Sequence, residues 1–598
     1  MKTKITCLLL VLFMVVGMLA SCGDTPSDDT CTSHVDSDGD KKCDNCGAAV
    51  SGGDTGKETC TEHVDVNEDG KCDVCRKKVQ SSGGSDAGGE EDVINYPWDS
   101  ADLTFQMTKQ TGGNTLLSGC YRYLAGEDFL HNEKIDSQIS DRNRDAYEKT
   151  KVNVTYKYYD DVAEYGWGAC IEVIFTTIKT NSSKSAPDMY CNFTYDLVGV
   201  SLKGGFANLK TTQHGENYFE FNNPDYNEAV DNRGYMWDYM KSTTLSQQKV
   251  YILASDYFID LVRAFYIVPV HVGLLEEGDI GMKLTGDLDG DGVFTLNDFY
   301  EDVKLKNWNY DKVAAYSREI YKSSDGATET LKDRIGFAVS QLGIAPNGLL
   351  FTTNITIIER PDKDDPSTFY FPTESPSLYD MVKALEDLMK ETGVIAVSGS
   401  ETYSFGTSPV LAIRNRFCEG QVLFGDVMLV GGLEMDAYQT LKGGEGFGVV
   451  PVPLYHEVSL ESEENYLTAI HNTGCPGAIA YNTNKFSECS AFLNYQSTHS
   501  TAILTYYYDF KLQYDITDGA QGTVEMLQYI RTNVRSAFDK TMEDAIGVFT
   551  NTQGDRWSQI LEMATEFVVD MRYEYGQLVG EKQKRLESLI MSYATLPA

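Results

Sequence analysis

The chain opens with one uninterrupted apolar run, Ile5 to Met18, and no second stretch of that length follows. Further on, apolar positions recur at the periods of strands and helices. Asn153 to Tyr158 alternates in the manner of a strand, after a polar helical run from Glu133 to Lys149. Leu378, Met381, Val382, Leu385 and Leu388 repeat at helical spacing, and Ser377 is the expected N-cap. From about residue 93 to the end, strand and helix patterns alternate, which predicts an α/β body.

The opening run ends in Leu19-Ala20-Ser21-Cys22 and is preceded by Lys2 and Lys4. A basic start, a short apolar stretch and small residues describe a secretory signal. The run is shorter than the about 20 residues a membrane span requires. Its end matches the bacterial lipobox, so residues 1–21 are expected to be a lipoprotein signal peptide. Cys22 is then the lipidated first residue, palmitate among its acyl groups. A multi-chain lipid would hold the protein at the extracytoplasmic face of the cell membrane.

At 598 residues, two or more domains are expected, and a 42% hydrophobic fraction describes a folded chain. Tyrosine outnumbers phenylalanine, 37 to 26. Its polar-tipped ring suits a surface that binds polar ligands, although partly exposed core tyrosines look the same in sequence. A formal net charge of −39 excludes nucleic acid and leaves carboxylates for divalent cations. The six cysteines of the body (Cys120, Cys170, Cys191, Cys418, Cys475, Cys489) leave disulfides and buried thiols equally open.

Residues 31–46 and 60–75 repeat one another at an offset of 29. Cys31, His34, Cys43 and Cys46 recur as Cys60, His63, Cys72 and Cys75. Three thiolates and an imidazole in two close pairs suit tetrahedral zinc. Asp36, Asp38 and Asp40, matched by Asp65, Asn67 and Asp69, suit calcium instead. A disulfide knot is the third reading, with one cysteine per unit left over. A unit this short needs a metal or a crosslink. Gly/Ser/Asp-rich stretches flank both, so residues 22–92 read as a lipid-anchored stalk carrying two small beads.

In the body, an ordered series of segments resembles a known family. It runs from Asp136 to Tyr156 through Asp141-Arg142-Asn143-Arg144, then Ala186 to Tyr190, Tyr195-Asp196-Leu197 and Gly205 to Leu209. It continues with Phe417 to Gly420, Leu423-Phe424, Phe447 to Pro453, Tyr495-Gln496-Ser497, Tyr506 to Tyr508, Leu512 and Glu525 to Leu527. The series is similar to bacterial extracellular solute-binding lipoproteins of ABC importers, of the family 1-like, carbohydrate type. The resemblance implies, over residues 93–598, a two-lobed periplasmic-binding-protein-like (type II) α/β fold with a hinge. It further implies a monomeric receptor that captures a solute, a sugar or oligosaccharide, between the lobes and delivers it to an importer permease. Aromatic faces cover sugar rings and polar side chains bind hydroxyls, which makes Tyr121, Tyr195, Asp196, Trp237 and Tyr239 the ligand-binding candidates.

The chain departs from the family at residues 287–298. Asp287, Asp289 and Asp291 alternate, Gly292 permits a sharp turn, Val293 offers a carbonyl and Asp298 closes a twelve-residue loop. That spacing predicts calcium, with a helix beginning at Asn297. Signatures of catalysis are missing: His456-Glu457 has no second histidine four residues on, and neither a G-x-S-x-G elbow nor a P-loop occurs. The reading is therefore a receptor and no enzyme. A surface glycan-binding or adhesive lipoprotein is the alternative, and a glycoside hydrolase with two carboxylates the third.

Overall fold

The fold comes from a computed structural model. It describes residues 94–108, 120–125, 133–159, 166–180, 186–223, 234–326, 329–341, 344–398, 407–434, 446–512, 521–534 and 571–596. Short pieces at 438, 441, 538–539, 541–542, 550–551 and 554–555 complete it. The signal peptide, Cys22, the stalk and both Cys/His repeats lie outside the described residues. Tyr96–Ala598 forms one compact unit.

Ten strands build two sheets: β1 (Ala101–Thr108), β2 (Val152–Tyr159), β3 (Met189–Cys191), β4 (Tyr266–His271), β5 (Ile335–Ser340), β6 (Val394–Val397), β7 (Val422–Phe424), β8 (Met428–Leu429), β9 (Phe447–Val450) and β10 (Gly477–Ile479). The first sheet has the order β10-β3-β1-β2. β1 runs parallel to both β2 and β3, and only β10 is antiparallel. β1 lies inside, and Leu103, Phe105 and Met107 are buried. The edge strand β2 keeps the expected alternation, burying Val152 and exposing Asn153, Thr155 and Lys157. The polar Glu133–Thr150 helix precedes it, as its pattern predicts.

The second sheet has the order β6-β5-β7-β4-β8, with β9 also paired to β4. β5 is parallel to β6 and β7, whereas β4 is antiparallel to β7, β8 and β9. β4 and β5 are buried at every position, as strands covered on both faces must be. The Pro376–Leu388 helix buries Leu378, Met381, Val382, Leu385 and Leu388, the predicted stripe. Its N-cap is Ser375, not Ser377: Pro376, with φ preset for a first helical turn, starts the helix two residues earlier.

The chain passes from the first sheet to the second at Ala264–Tyr266 and returns before β10. These two crossings pair with each other: Phe265 bridges Ile470, and the His471 N–H donates to the Ala264 carbonyl at 3.0 Å. The Gln521–Thr532 helix packs on the second lobe: the Tyr300 hydroxyl lies 2.7 Å from that of Thr523. Past its end, Val534 bridges Thr468 beside the two crossings. Two lobes joined by adjacent, paired crossings is the α/β architecture expected from sequence. Among the described residues, no helix is long and apolar enough to cross a membrane.

Candidate ligand-binding cleft

In an open α/β sheet, ligands collect beyond the carboxyl ends of the parallel strands. In the first lobe those ends are Thr108 after β1 and Asn192-Phe193-Thr194-Tyr195 after β3. The returning crossing, Asn472 to Gly474, is knitted to the second of these. The Thr194 N–H and hydroxyl both donate to the Gly474 carbonyl at 2.9 Å, and the Tyr195 N–H donates to Asn472 at 3.3 Å. The Asn192 side-chain oxygen accepts from the Phe193 N–H at 2.7 Å. Thr108, Asn192, Thr194, Asn472 and Thr473 are all buried, so polar side chains concentrate where first-lobe strand ends meet the crossing.

In the second lobe the corresponding ends are Ser340-Gln341 after β5 and Asp426 after β7. The Asp426 carboxylate accepts the Ser340 N–H at 2.9 Å. Burial pushes the Asp426 carboxyl up to about 7, against the hydrogen bonds from Ser340 and Val427 that lower it. Gln341 and Asn347 are buried on the same side of the sheet order, after β5.

Two ion pairs flank the crossings, the first buried and the second with its arginine partly exposed. Arg263 ends the Ile259–Arg263 helix of the first lobe, two residues before the crossing pair. It grips Glu434 of the second lobe with both ends of its fork, at 2.8 and 3.1 Å, and Asp260 at 2.5 Å. The Tyr507 hydroxyl, from the first lobe, donates to Glu434 at 2.6 Å. Burial alone would lower Arg263; the carboxylates of Glu434 and Asp260 prevail and hold it firmly charged. On the other flank, Arg531 of the Gln521–Thr532 helix donates to Asp256 at 2.8 Å, and Thr501 donates to the other Asp256 oxygen at 2.9 Å. A third arginine, Arg142, is buried under Tyr257, 4.7 Å from its ring, and donates to Ser500 at 3.0 Å.

The five ligand candidates fall in different places. Tyr121 lies in the Cys120–Ala125 helix, and its side chain is outside the described residues. Tyr195 is half-buried at the strand-end turn. Asp196, one residue on, is buried toward the Gly166–Thr180 helix, where its charge adds to burial in raising the Cys170 thiol to about 11. The Tyr239 hydroxyl bonds the Thr194 hydroxyl, which places this buried ring behind the turn. Trp237 stands elsewhere in the first lobe, against Phe221 at 4.9 Å, with Lys210 and Lys241 over its ring. Tyr195 and Tyr239 are thus brought together and Trp237 is not. Asn192, Asn472, Asp426, Arg263 and Glu434 were missed. The first three follow or precede short apolar runs, a signal that marks strand ends but not which ends converge.

The loop at 287–298 is built as its spacing predicts. Carboxylate oxygens of Asp287, Asp289 and Asp291 all lie within 4.8 Å of one another. Asp287 accepts N–H groups from Gly290, Asp291 and Gly292, and Gly292 has a φ of 90° that a side chain would oppose. Asp298 is buried and accepts from Leu288, Asp289 and Thr295. Burial would raise its carboxyl; those N–H groups outweigh it and hold it below the usual range. The helix is Leu296–Lys304, with Thr295 and Asp298 forming a capping box, so Asp298 closes the loop and starts the helix together. The three clustered carboxylates fit a hard divalent cation.

Cys170, Cys191, Cys418, Cys475 and Cys489 are free thiols. No protein-family model matches the chain, and no curated protein matches it. Among solved structures, the chain is similar to an extracellular solute-binding protein from Staphylococcus aureus in complex with maltose. That match is 10% identical and covers 82% of this chain and 98% of that one, at a TM-score of 0.45. A sugar-binding protein, MalE, from Xanthomonas citri matches at 11% identity with the same coverages and TM-score. The galacto-N-biose-/lacto-N-biose I-binding protein of the ABC transporter from Bifidobacterium longum matches at 12% identity, over 83% of this chain and 99% of that one, with a TM-score of 0.42.

Proposed function

We propose that this protein is a surface-tethered receptor that captures a saccharide between its lobes and delivers it, unaltered, to an ABC importer. One observation carries the reading: the polar carboxyl ends of two separate sheets sit beside two paired crossings, the arrangement of a cleft that rotation can close. Tyr195 and Asn472 offer a hydroxyl and an amide on one side, and Ser340, Gln341 and Asp426 a hydroxyl, an amide and a carboxyl on the other. These groups suit a neutral, hydroxyl-rich solute. Lipidation at Cys22 supplies the anchor, with residues 22–92 as spacer and zinc or calcium in the repeats. Calcium in the 287–298 loop fixes a second-lobe helix start and stays out of ligand contact.

A thermal-shift titration with mono- and oligosaccharides tests the receptor. One small saccharide should raise Tm, by about 2.7 kcal/mol of stabilisation at a hundredfold excess over its Kd, and should be recovered intact. Release of reducing ends would reveal a hydrolase. Binding to polymer alone, with no response to small sugars, would reveal an adhesin; either outcome sinks the transport reading.

A further inference from the structure

The Met571–Ala594 helix carries one buried stripe: Tyr575, Lys582, Leu586 and Tyr593 are buried, with Val579, Leu589 and Ile590 partly so. Spacings of three and four place these on one face. At 1.5 Å per residue, its 24 residues extend about 36 Å. Its two halves grip different lobes.

The first half lies on the second lobe. The Tyr575 hydroxyl donates to the Pro372 carbonyl at 2.9 Å, and its ring meets Tyr379 edge-on at 6.0 Å. Gln583 accepts the Phe371 N–H at 2.9 Å. The last turns lie on the first lobe. The Tyr593 hydroxyl is 2.8 Å from that of Thr244, its ring meets Tyr251 edge-on at 6.3 Å, and Lys249 donates to the Leu596 carbonyl at 2.9 Å. The same first-lobe segment, 244–249, takes a second bridge from the other lobe. Ser246 donates to the Asp364 carbonyl at 3.1 Å, and the Gln247 N–H to that of Lys363 at 3.3 Å.

Segment 244–249 stands away from the crossings. Leu253 is the residue that bridges Gly477, next to the returning crossing. Lys249 lies four residues upstream of Leu253, about 13 Å of extended chain, and Thr244 lies further upstream in sequence. Contacts at a pivot survive rotation, whereas contacts displaced from it must slide or break. The first-lobe grip comes from the Tyr593 hydroxyl and ring, from Lys249 and from Leu596 beside Gly204.

We propose that the Met571–Ala594 helix is a strap that holds the lobes in the conformation seen here, and that lobe rotation requires its Tyr593 end to leave segment 244–249. The proposal rests on the reading that the lobes rotate, and goes beyond it in naming a second restraint remote from the crossings.

The test uses the full chain without ligand. Hydrogen exchange and small-angle scattering compare the wild type with Thr244→Val/Tyr593→Phe and with Lys249→Met. A strap predicts at least tenfold faster exchange in 244–250 and in the last helical turn, unchanged exchange around Tyr575, and a larger radius of gyration. An unchanged radius with exchange altered only at the substituted residues overturns it. A Thr244→Cys/Tyr593→Cys pair joined by a short bis-maleimide, long enough to replace the tyrosine ring between the two positions, covers loss of folding in the other variants. Crosslinked, it should abolish the change in radius that maltose or lacto-N-biose induces, while the uncrosslinked pair should keep it; a full response in the crosslinked protein overturns the strap. Should the wild type respond to neither sugar nor any other saccharide tried, the receptor reading fails, while the ligand-free comparison still decides the strap.

Discussion

Asp426 shows how one buried carboxyl at a strand end couples protonation to stability. In the unfolded chain it titrates at its ordinary value; in the folded chain it is held up to about 7 by burial. The unfolded state therefore releases this proton first. As pH rises through the ordinary carboxylate range, folding loses stability, and the loss stops growing once pH passes about 7. Asp426→Asn keeps an acceptor for the Ser340 N–H and cannot ionise. Its Tm should match the wild type near pH 4 and exceed it increasingly up to pH 8, by at most about 4 kcal/mol. Calorimetry across that range checks the sign. A variant less stable at pH 8 than at pH 4, relative to wild type, would show that Asp426 is charged and satisfied in the fold.

At the scale of elements, what was legible in sequence was whatever is local. The β2 alternation, the 378–388 stripe and the 287–298 loop each repeat at a period that a handful of neighbours fix, and each appears in the fold. The cleft was poorly legible because its parts are far apart: Thr194 meets Gly474, and Arg263 meets Glu434. Trp237 shows the same limit from the other side, since an aromatic beside polar turns looks like a sugar platform until its lysine-flanked packing is seen. The loop offers a prediction that separates two roles. Asp289→Ala should abolish stabilisation by calcium and leave the metal-free protein nearly unchanged, because Asp289 is exposed and crowded by like charges. Asp298→Ala removes the capping box, so it should cost even the EDTA-treated protein about 1–2 kcal/mol. Thermal melts of both variants with calcium and with EDTA measure this; equal melts in the two conditions for the wild type would refute the metal.

Across the whole molecule, charges buried at the crossings tie one lobe to the other. Arg263 holds both Glu434 and Asp260 there, and the Tyr507 hydroxyl donates to Glu434. A buried ion pair contributes little net stability compared with an apolar replacement, yet breaking it is costly because one charge is left alone. Glu434→Gln leaves Arg263 its pair with Asp260, whereas losing Arg263 takes the cation from both Asp260 and Glu434. Arg263→Met should therefore destabilise more than Glu434→Gln, at about 3–5 kcal/mol for a stranded buried charge. The double variant should recover part of that loss, since Glu434 then carries no charge and Asp260 alone has lost its arginine. Urea unfolding of the three variants provides the cycle. Strictly additive losses would mean that the pair is decorative and that the crossing strands alone hold the two lobes in register.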